Sequence, residues 1–534
     1  MKMNSRFTDT TSAVARRVAK TIRPNEIRGQ TSCFAGKVVP HAYIPLLREE
    51  QVGSSRIRVK IDMTETVETL MNPVAVTTRA VFVPFLAFER FEGSLDRFNR
   101  SYKGEPDKEG GDVVPFIAPI NFDRNAEIFR TMGIHAKQGD PINSALVEAY
   151  NCWVNFRRKQ ISKELPQRTP LDTTLANCEW RNTTFRSIVP DFDQAAIDGE
   201  VELRIAERVR VSGIGSDGTT ASVARDMYET ETGYRQVTGW SGTNMTFQDA
   251  GGLPAIYAEL AQDGVKLSLS NIELAKKTAW MATQRKKHAG LDDDHIIDML
   301  MDGIRVPDAQ LSQPIVLDRK TTLIGYNRRW ATDSGNLEKS VTTGETMLNL
   351  TIRTPPMNTG GIILIVSEIV PEQLFERQRD HFLHTMDPDD WPSATRDELD
   401  PEKVDVIQNK DVDVEQTDPD GTFGYSYLNS RWDRSLVNIG GKYYRQLGDP
   451  FDENRQKIWA VETVDPALTS DFYLANNLHH KVFADATAEP FEINTIGSCR
   501  IITDMVRGKR LEENTDDYNI LIEQADDTRI DQSA

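Results

Sequence analysis

The sequence contains little cysteine. Its 534 residues include four cysteines far apart in the chain, Cys33, Cys152, Cys178 and Cys499. No C-x-x-C pair is present to hold zinc, and small secreted proteins that rely on disulfides carry a much denser cysteine framework. We therefore expect reduced thiols and a cytoplasmic setting.

Long hydrophobic runs are also missing. The longest mostly apolar run covers residues 360–370, whereas a membrane-spanning helix needs about 20 such residues. Hydrophobic residues make up 39% and charged residues 27% of the chain, which is ordinary for a globular protein and excludes the composition typical of disorder. The sequence predicts a folded protein without membrane insertion.

Motifs of the common enzyme classes are absent, including the nucleophile elbow, the Walker loop and the zinc-protease helix. Gly213, Gly215 and Gly218 match G-x-G-x-x-G, but the segment before them is highly charged and no helix start follows. His381 and His384 lack a third assignable metal ligand. We predict no enzyme activity, no cofactor and no metal.

Positive charge is in deficit, with 63 basic against 81 acidic residues and a net charge of −18. This excludes a protein whose whole surface binds phosphate, so any nucleic-acid contact must be local. Residues 1–28 reverse the balance, with seven lysines and arginines against two acidic residues. We expect a basic N-terminal arm at 1–28 and an acidic C-terminal tail at 512–534.

The sequence does show the residue patterns typical of β-strands. Apolar and charged residues alternate over 56–64, which predicts a strand with one buried and one exposed face. The run 361–370 follows a Gly-Gly break and predicts a strand buried on both faces. Similar alternation predicts strands at 201–211, 265–269 and 348–352.

Helical signals are fewer. Helices are expected at 146–154, 270–288 and 371–382. Because they are scattered singly among strands, βαβ units and a parallel sheet are disfavoured. The sequence predicts a mainly β, antiparallel protein with a few helices and with long loops at 92–119, 180–254 and 387–421.

Three basic clusters contain aromatic residues. They are Arg157, Arg158 and Lys159 beside Trp153 and Phe156; Arg285, Lys286 and Lys287 beside His288; and Arg328 and Arg329 between Tyr326 and Trp330. Aromatic planes beside cations suit unpaired bases and their phosphates. Each cluster alone also suits a solvated helix face or an ion pair between subunits.

Several sequence blocks occur in the order found in one viral family. The most specific block is 306–314, Val-Pro-Asp-Ala-Gln-Leu-Ser-Gln-Pro, because the family carries a similar Pro-Asp-x-x-Leu-x-x-Pro signature after a helix. The other blocks are 36–40, 44–46, 72–73, 81–85, 150–151 with Arg157, 360–361, 423–425, 443–445 and 470–473. Over residues 29–511 the chain therefore resembles the major capsid protein of the microviruses, the small tailless icosahedral DNA phages.

The resemblance implies an eight-stranded antiparallel jelly roll of the viral capsid type, with residues 29–511 as one domain and the long loops as insertions. It implies self-assembly of about sixty copies into a T=1 shell around circular single-stranded DNA. Family members differ most in an insertion that corresponds to part of 180–254 and that in some of them forms a protrusion near the three-fold axis.

The implied partners are the packaged DNA, a small basic DNA-binding virion protein, a minor or pilot protein and a host surface receptor. The implied location is the virion, assembled in the cytoplasm of a bacterial host. The arm would face the interior, and the candidate DNA-contacting residues are Arg16, Arg17, Lys20, Arg23, Arg157, Arg158, Lys159, Arg285, Lys286, Lys287, Arg328 and Arg329.

The alternative is a non-viral jelly-roll module that binds a ligand, of the carbohydrate-binding or cupin type. Such a module would carry a histidine cluster or an aromatic platform on its strands, and neither is evident in the sequence.

Overall fold

A computed structural model describes most of the chain. The described residues are 20–191, 312–330 and 340–508 apart from gaps at 108–110, 163–164, 182–184, 186, 389–390, 400–402, 434–435, 446–455 and 477. The backbone alone is described at 328–330, at 340–341 and in five strands between 208 and 259, and the helical positions 277 and 280 are described as well. The chain divides into two compact units, Met1–Ala195 with His288–Ala534, and Ala196–Lys287.

Strands dominate the described residues, which confirms the prediction of a mainly β protein. In chain order they are β1 (Thr21–Cys33), β2 (Val38–Leu46), β3 (Gln51–Thr66), β4 (Val74–Pro84), β5 (Pro119–Asn121), β6 (Pro141–Asn143), β7 (Arg208–Arg210), β8 (Asp226–Thr230), β9 (Gly233–Ser241), β10 (Asn244–Phe247), β11 (Tyr257–Glu259), β12 (Ile315–Leu323), β13 (Gly325–Trp330), β14 (Ser340–Leu350), β15 (Gly361–Pro371), β16 (Val404–Gln408), β17 (Thr422–Tyr427) and β18 (Phe491–Thr503).

The described helices are short, apart from one. They are α1 (Leu95–Lys103), α2 (Glu127–Met132), α3 (Ala145–Ile161), α4 (His381–His384), α5 (Ala394–Leu399), α6 (Asn409–Val412) and α7 (Ser470–Tyr473). Local sequence sets their ends: the Ser94 hydroxyl accepts a hydrogen bond from the backbone N–H of Arg97 at the start of α1, and Gly104 ends the helix in the left-handed conformation.

Two antiparallel sheets organise the larger unit. One has the strand order β1-β18-β3-β14-β13, and the other has the order β12-β4-β15-β2. In the smaller unit, β8, β9 and β10 form one antiparallel sheet and β7 pairs with β11. The predicted antiparallel arrangement is confirmed.

The two large sheets share one hydrophobic core, as in a β-sandwich. Ile57 and Ile61 of β3 contribute from the five-stranded sheet, and Val76 of β4 and Ile363 of β15 contribute from the four-stranded sheet. Along β3 the apolar residues are buried and the intervening charged residues are mostly exposed. The alternating strand predicted at 56–64 is therefore confirmed.

The four-stranded sheet also buries its other face. Val81 of β4 and Leu364 of β15 pack there against a second cluster that includes Tyr150 and Trp153 of α3. Alternate residues of β15 thus meet two different cores, and the strand is buried along almost its whole length. The predictions of a doubly buried strand at 361–370 and of a helix at 146–154 are confirmed.

The predicted helix at 371–382 is wrong. Pro371 is the last residue of β15 and lies opposite Val74 of β4. Apolar pairing extends the strand to this proline, which lacks an N–H donor and is tolerated at a strand end. A helical turn begins only at His381.

The predicted boundary of the basic arm needs correction. Residues 21–28 form the first half of β1, where Thr21 pairs with Thr503 and Arg28 pairs with Ile496. Residues 1–19 and the tail at 512–534 lie outside the described residues, as do the strand expected at 265–269 and most of the helix expected at 270–288. The loop predicted at 92–119 contains α1, and the one predicted at 387–421 contains α5, β16 and α6.

Buried polar side chains join the two sheets inside the shared core. His41 of β2 is hydrogen-bonded through Nε2 to Ser367 Oγ at 2.9 Å and through Nδ1 to Thr495 Oγ1 at 2.7 Å. Ser367 is in turn hydrogen-bonded to Thr78 Oγ1 at 2.8 Å. Because Thr495 lies on β18 and the other three lie on the four-stranded sheet, this chain of hydrogen bonds crosses the sandwich.

Burial lowers the pKa of His41 from 6.5 to about 3. Below about pH 6.5 the unfolded chain therefore binds a proton at His41, whereas the folded chain does not. The contribution of His41 to the free energy of unfolding is complete above about pH 6.5 and is lost as the pH falls. We expect this one residue to lower the free energy of unfolding by about 2 kcal/mol between pH 7 and pH 5. Urea unfolding across this range measures it.

The comparison is between two variants. His41→Gln removes the titrating group, so its free energy of unfolding should fall less steeply with decreasing pH than that of the wild type. His135→Gln, at an exposed position, should retain the wild-type slope. Equal slopes for wild type and His41→Gln would contradict the assignment.

Candidate functional site

The cations predicted on α3 are largely occupied by contacts within the chain. Arg157 donates a hydrogen bond from Nη2 to Glu179 at 2.5 Å, and its guanidinium lies 5.9 Å from the centre of the Trp153 ring. Arg158 is buried and donates to the carbonyl of Pro166 at 2.5 Å. Lys159 is the exposed member. The two arginines thus hold α3 against neighbouring segments of the same chain.

Arg23 also serves the fold. Its guanidinium donates to both carboxylate oxygens of Glu50, at 3.1 and 2.6 Å, and to the carbonyl of Pro45 at 2.8 Å. Glu50 is 1% exposed, so Arg23 is the counter-ion of a buried carboxylate. Lys20 lies at the surface, 4.0 Å from Asp504.

The structure describes only some of the other residues predicted to contact DNA. Arg328 and Arg329 lie on β13, an edge strand of the five-stranded sheet, and their backbone alone is described. Arg16, Arg17, Arg285, Lys286 and Lys287 lie outside the described residues. DNA contact by all of these residues stays a prediction.

A polar cavity of about 410 Å³ lies in the segment between β15 and β18. Arg379, Lys410, Arg431 and Trp432 contribute to its wall. The buried carboxylate of Asp411 lies 3.7 Å from both the Arg379 and the Arg431 guanidinium groups. Asp397 and Asp405 add carboxylates to the wall, so charges of both signs line a concave surface beside the Trp432 ring. Such a cavity offers hydrogen bonds to a polar ligand.

The two histidines noted in the sequence also line this cavity. The His381 ring packs edge-on against Trp432 with 4.9 Å between ring centres, and His384 Nδ1 is hydrogen-bonded to the backbone carbonyl of Asp380 at 2.8 Å. Among the described residues, no group of three or more His, Cys, Asp or Glu side chains is arranged to hold a metal ion. A ring contact thus holds His381, and a hydrogen bond holds His384.

Sequence reasoning missed a group of four arginines on the outer face of the five-stranded sheet. Arg28 lies on β1, Arg56 and Arg58 lie on β3, and Arg500 lies on β18, and all four are exposed. The alternation at 56–64 places Arg56 and Arg58 on one exposed face. The cross-strand neighbours could not be found from the sequence, because the pairing of β18 with β1 and β3 is not local.

No protein-family model matches the chain, and no curated protein matches it. Within the described part of the chain, no helix is both long enough and apolar enough to span a bilayer.

The role of Arg23 is testable by stability. Arg23→Gln should lower the free energy of unfolding by about 2–4 kcal/mol, because removing one partner leaves the buried Glu50 carboxylate without its cation. Glu50→Gln in the same chain should restore part of the loss. Lys159→Gln, which changes an exposed cation, should alter the free energy by less than about 0.5 kcal/mol.

Denaturant unfolding of the three variants measures these differences. A wild-type stability for Arg23→Gln, together with weaker DNA binding, would instead assign this arginine to the nucleic-acid contact.

Proposed function

We propose that the chain is the major coat protein of a small icosahedral single-stranded DNA phage and that its sandwich is a viral jelly roll. The order of strand pairing carries the proposal. Of the nine strands in the two large sheets, eight form an ordered set, β1, β2, β3, β4, β12, β14, β15 and β18, and β13 adds an edge strand beside β14. In that order the first pairs with the eighth, the second with the seventh, the third with the sixth and the fourth with the fifth, all antiparallel. A long hairpin rolled into two sheets has this pairing, as in capsid jelly rolls.

Two long excursions from the sandwich support a role in assembly. Residues 85–314 separate β4 from β12, and residues 372–490 separate β15 from β18. Shell subunits need contact areas around several symmetry axes, at about 800 Å² for each partner in a standard interface. Excursions of this length supply such area without enlarging the core.

Exposed apolar side chains on the second excursion support self-association. Phe382, Leu383 and Met386, in and just after α4, are 59, 67 and 87% exposed. Clustered apolar surface of this kind marks protein–protein contact sites. In the proposed shell, these side chains contact neighbouring copies.

The charge distribution is compatible with a capsid shell that encloses DNA. A net charge of −18 keeps most of the subunit surface unattractive to DNA, whereas the arm at 1–19 and local arginine groups supply positive charge. The proposal includes the T=1 shell of about sixty copies, the packaged single-stranded DNA, the small basic virion protein, the minor or pilot protein and the host receptor. The virion is then the site of action, after assembly in the bacterial cytoplasm.

The cavity beside Trp432 favours a second candidate function, a jelly-roll module that binds a small polar ligand. That function requires a soluble monomer or small oligomer with a saturable ligand. It does not require shells.

Electron microscopy of the purified full-length chain tests the proposal. We expect closed particles of uniform diameter, because the exposed apolar surface of the second excursion is buried only between copies. Replacing Phe382, Leu383 and Met386 by serine should abolish these particles while leaving subunit unfolding cooperative. A chain that stays monomeric under all assembly conditions and binds a small polar ligand would contradict the coat function.

A matched control is Val464→Ser. This valine is also largely exposed on the second excursion, but it lies away from α4 in the sequence. The control variant should form wild-type particles.

Deletion of residues 1–19 tests the arm. We expect unchanged subunit stability, because the deletion stops before β1, and particles with less DNA, because the basic residues of the arm are lost. Deletion of residues 1–28 serves as the contrast and should also destabilise the subunit, since it removes half of β1. Nucleic-acid absorbance of purified particles and urea unfolding measure the two effects, and unchanged DNA content after the shorter deletion would contradict the role of the arm.

A further inference from the structure

Within the described part of the larger unit, one broad sheet surface is left uncovered. The outer face of the four-stranded sheet is covered by α3 and its aromatic neighbours. Along β1, β3 and β18 of the five-stranded sheet, by contrast, the outward side chains are mostly exposed. This exposed face carries the four arginines Arg28, Arg56, Arg58 and Arg500, named here the arginine patch.

Strand register gathers the patch from three strands. Arg28 and Arg58 flank Ile496 from opposite sides in one cross-strand row. Arg56 lies opposite Ser498 in the next row, and Arg500 lies two residues further along β18. With strands about 4.8 Å apart and about 6.7 Å between alternate residues of a strand, the four Cα atoms lie within a region on the order of 10–15 Å across.

The patch has little internal neutralisation. Arg56, Arg58 and Arg500 make no side-chain hydrogen bond and no ion pair with any described residue. Arg28 lies 3.5 Å from Glu26, and both side chains are strongly exposed, where such a pair contributes little. The patch therefore presents a local excess of positive charge on an acidic protein.

Glu26 lies within the patch, opposite Ser498 in the same cross-strand row as Arg56, but the outward carboxylates of β3, β14 and β18 are gathered away from it. Glu492, Asp62 and Glu345 occupy one cross-strand row on β18, β3 and β14. Lys60 is bound within this group, 2.8 Å from Asp62 and 3.7 Å from Glu345. The acidic row thus neutralises Lys60, whereas the four arginines of the patch share Glu26 as their carboxylate on the described strands, which leaves a local excess of positive charge.

We propose that the arginine patch binds the phosphodiester backbone of single-stranded DNA. The guanidinium group presents a planar fork of N–H donors that matches phosphate oxygens, and several such groups in one patch bind successive phosphates. The choice of DNA as the ligand rests on the proposed coat function, whereas the affinity for phosphates rests on the patch alone.

The surroundings of the patch define how the DNA is recognised. The outward positions of β1, β3 and β18 carry no aromatic side chain on which a base could stack, and Ile496 occupies the centre of the patch. Gln30 and Asn494 in the neighbouring row offer hydrogen bonds to sugars or phosphates. Binding is therefore independent of base sequence and depends strongly on salt.

The position of the patch also relates it to the arm. Residues 1–19 precede β1 directly, and β1 contributes Arg28 to the patch. A DNA strand held on the patch thus lies on the same sheet from which the basic arm departs.

The test compares two triple variants of the full-length chain. One is Arg56→Gln/Arg58→Gln/Arg500→Gln. The matched control is Arg124→Gln/Arg130→Gln/Lys137→Gln, which removes the same charge from exposed positions around α2. Fluorescence anisotropy with a labelled dT30 oligonucleotide and with a mixed-sequence 30-mer, from 50 to 300 mM NaCl, gives the affinity and its salt dependence.

We expect the patch variant to bind both oligonucleotides at least tenfold more weakly than the control at 50 mM NaCl. Its slope of log affinity against log salt should be smaller by roughly 2, at about 0.7 for each of three lost phosphate contacts on a single strand. Particles of the patch variant should also contain less DNA. Equal affinity, slope and DNA content in the two variants would overturn the proposal.

A rival occupant of the patch is the acidic segment 512–534 of the same chain. If a peptide of this sequence binds the wild-type chain but not the patch variant, while both bind DNA equally, the proposal is overturned in favour of the acidic segment. The experiment distinguishes failure of the arginine-patch proposal from failure of the proposed coat function. If the chain never forms shells but binds DNA through the patch, the patch proposal stands and the coat function is rejected. If shells form normally and their DNA content does not depend on the patch, the coat function stands and the patch proposal is rejected.

Discussion

The requirement to bury both faces of the four-stranded sheet governs the rest of the structure. β15 carries apolar side chains on each face, with Ile363 turned to the shared core and Leu364 turned to the α3 cluster. The five-stranded sheet covers one face, and the excursion that contains α3 covers the other. Among the described residues, nothing covers the outer face of the five-stranded sheet, and its charged residues lie where they meet solvent or a ligand.

Local burial patterns could be predicted from the sequence, and non-local pairings could not. The alternation at 56–64 and the apolar run at 361–370 each describe how one strand meets its surroundings, so each was interpretable without a partner. The local sequence predicts a helix start at Pro371, and this is wrong because the pairing of Pro371 with Val74 depends on a distant strand. The position of β18 between β1 and β3 depends on contacts with the opposite end of the chain.

The same distinction explains the candidate DNA-contacting residues. Adjacency in sequence selected Arg157 and Arg158, but on a helix adjacent residues point in different directions, and both are engaged, by Glu179 and by the Pro166 carbonyl. On a sheet, a surface is assembled from alternate residues of neighbouring strands. The arginine patch is of this kind, so its members are scattered along the sequence and only the register brings them together.

The central position of β18 has a consequence for synthesis on the ribosome. The strand begins at Phe491, so residues 1–490 are synthesised before β1 and β3 acquire the neighbour that joins them. Until then both strands present unpaired edges, and such edges invite aggregation. A prematurely terminated chain therefore lacks a closed sheet and becomes a substrate for chaperones and proteases, which keeps incomplete subunits out of any larger assembly.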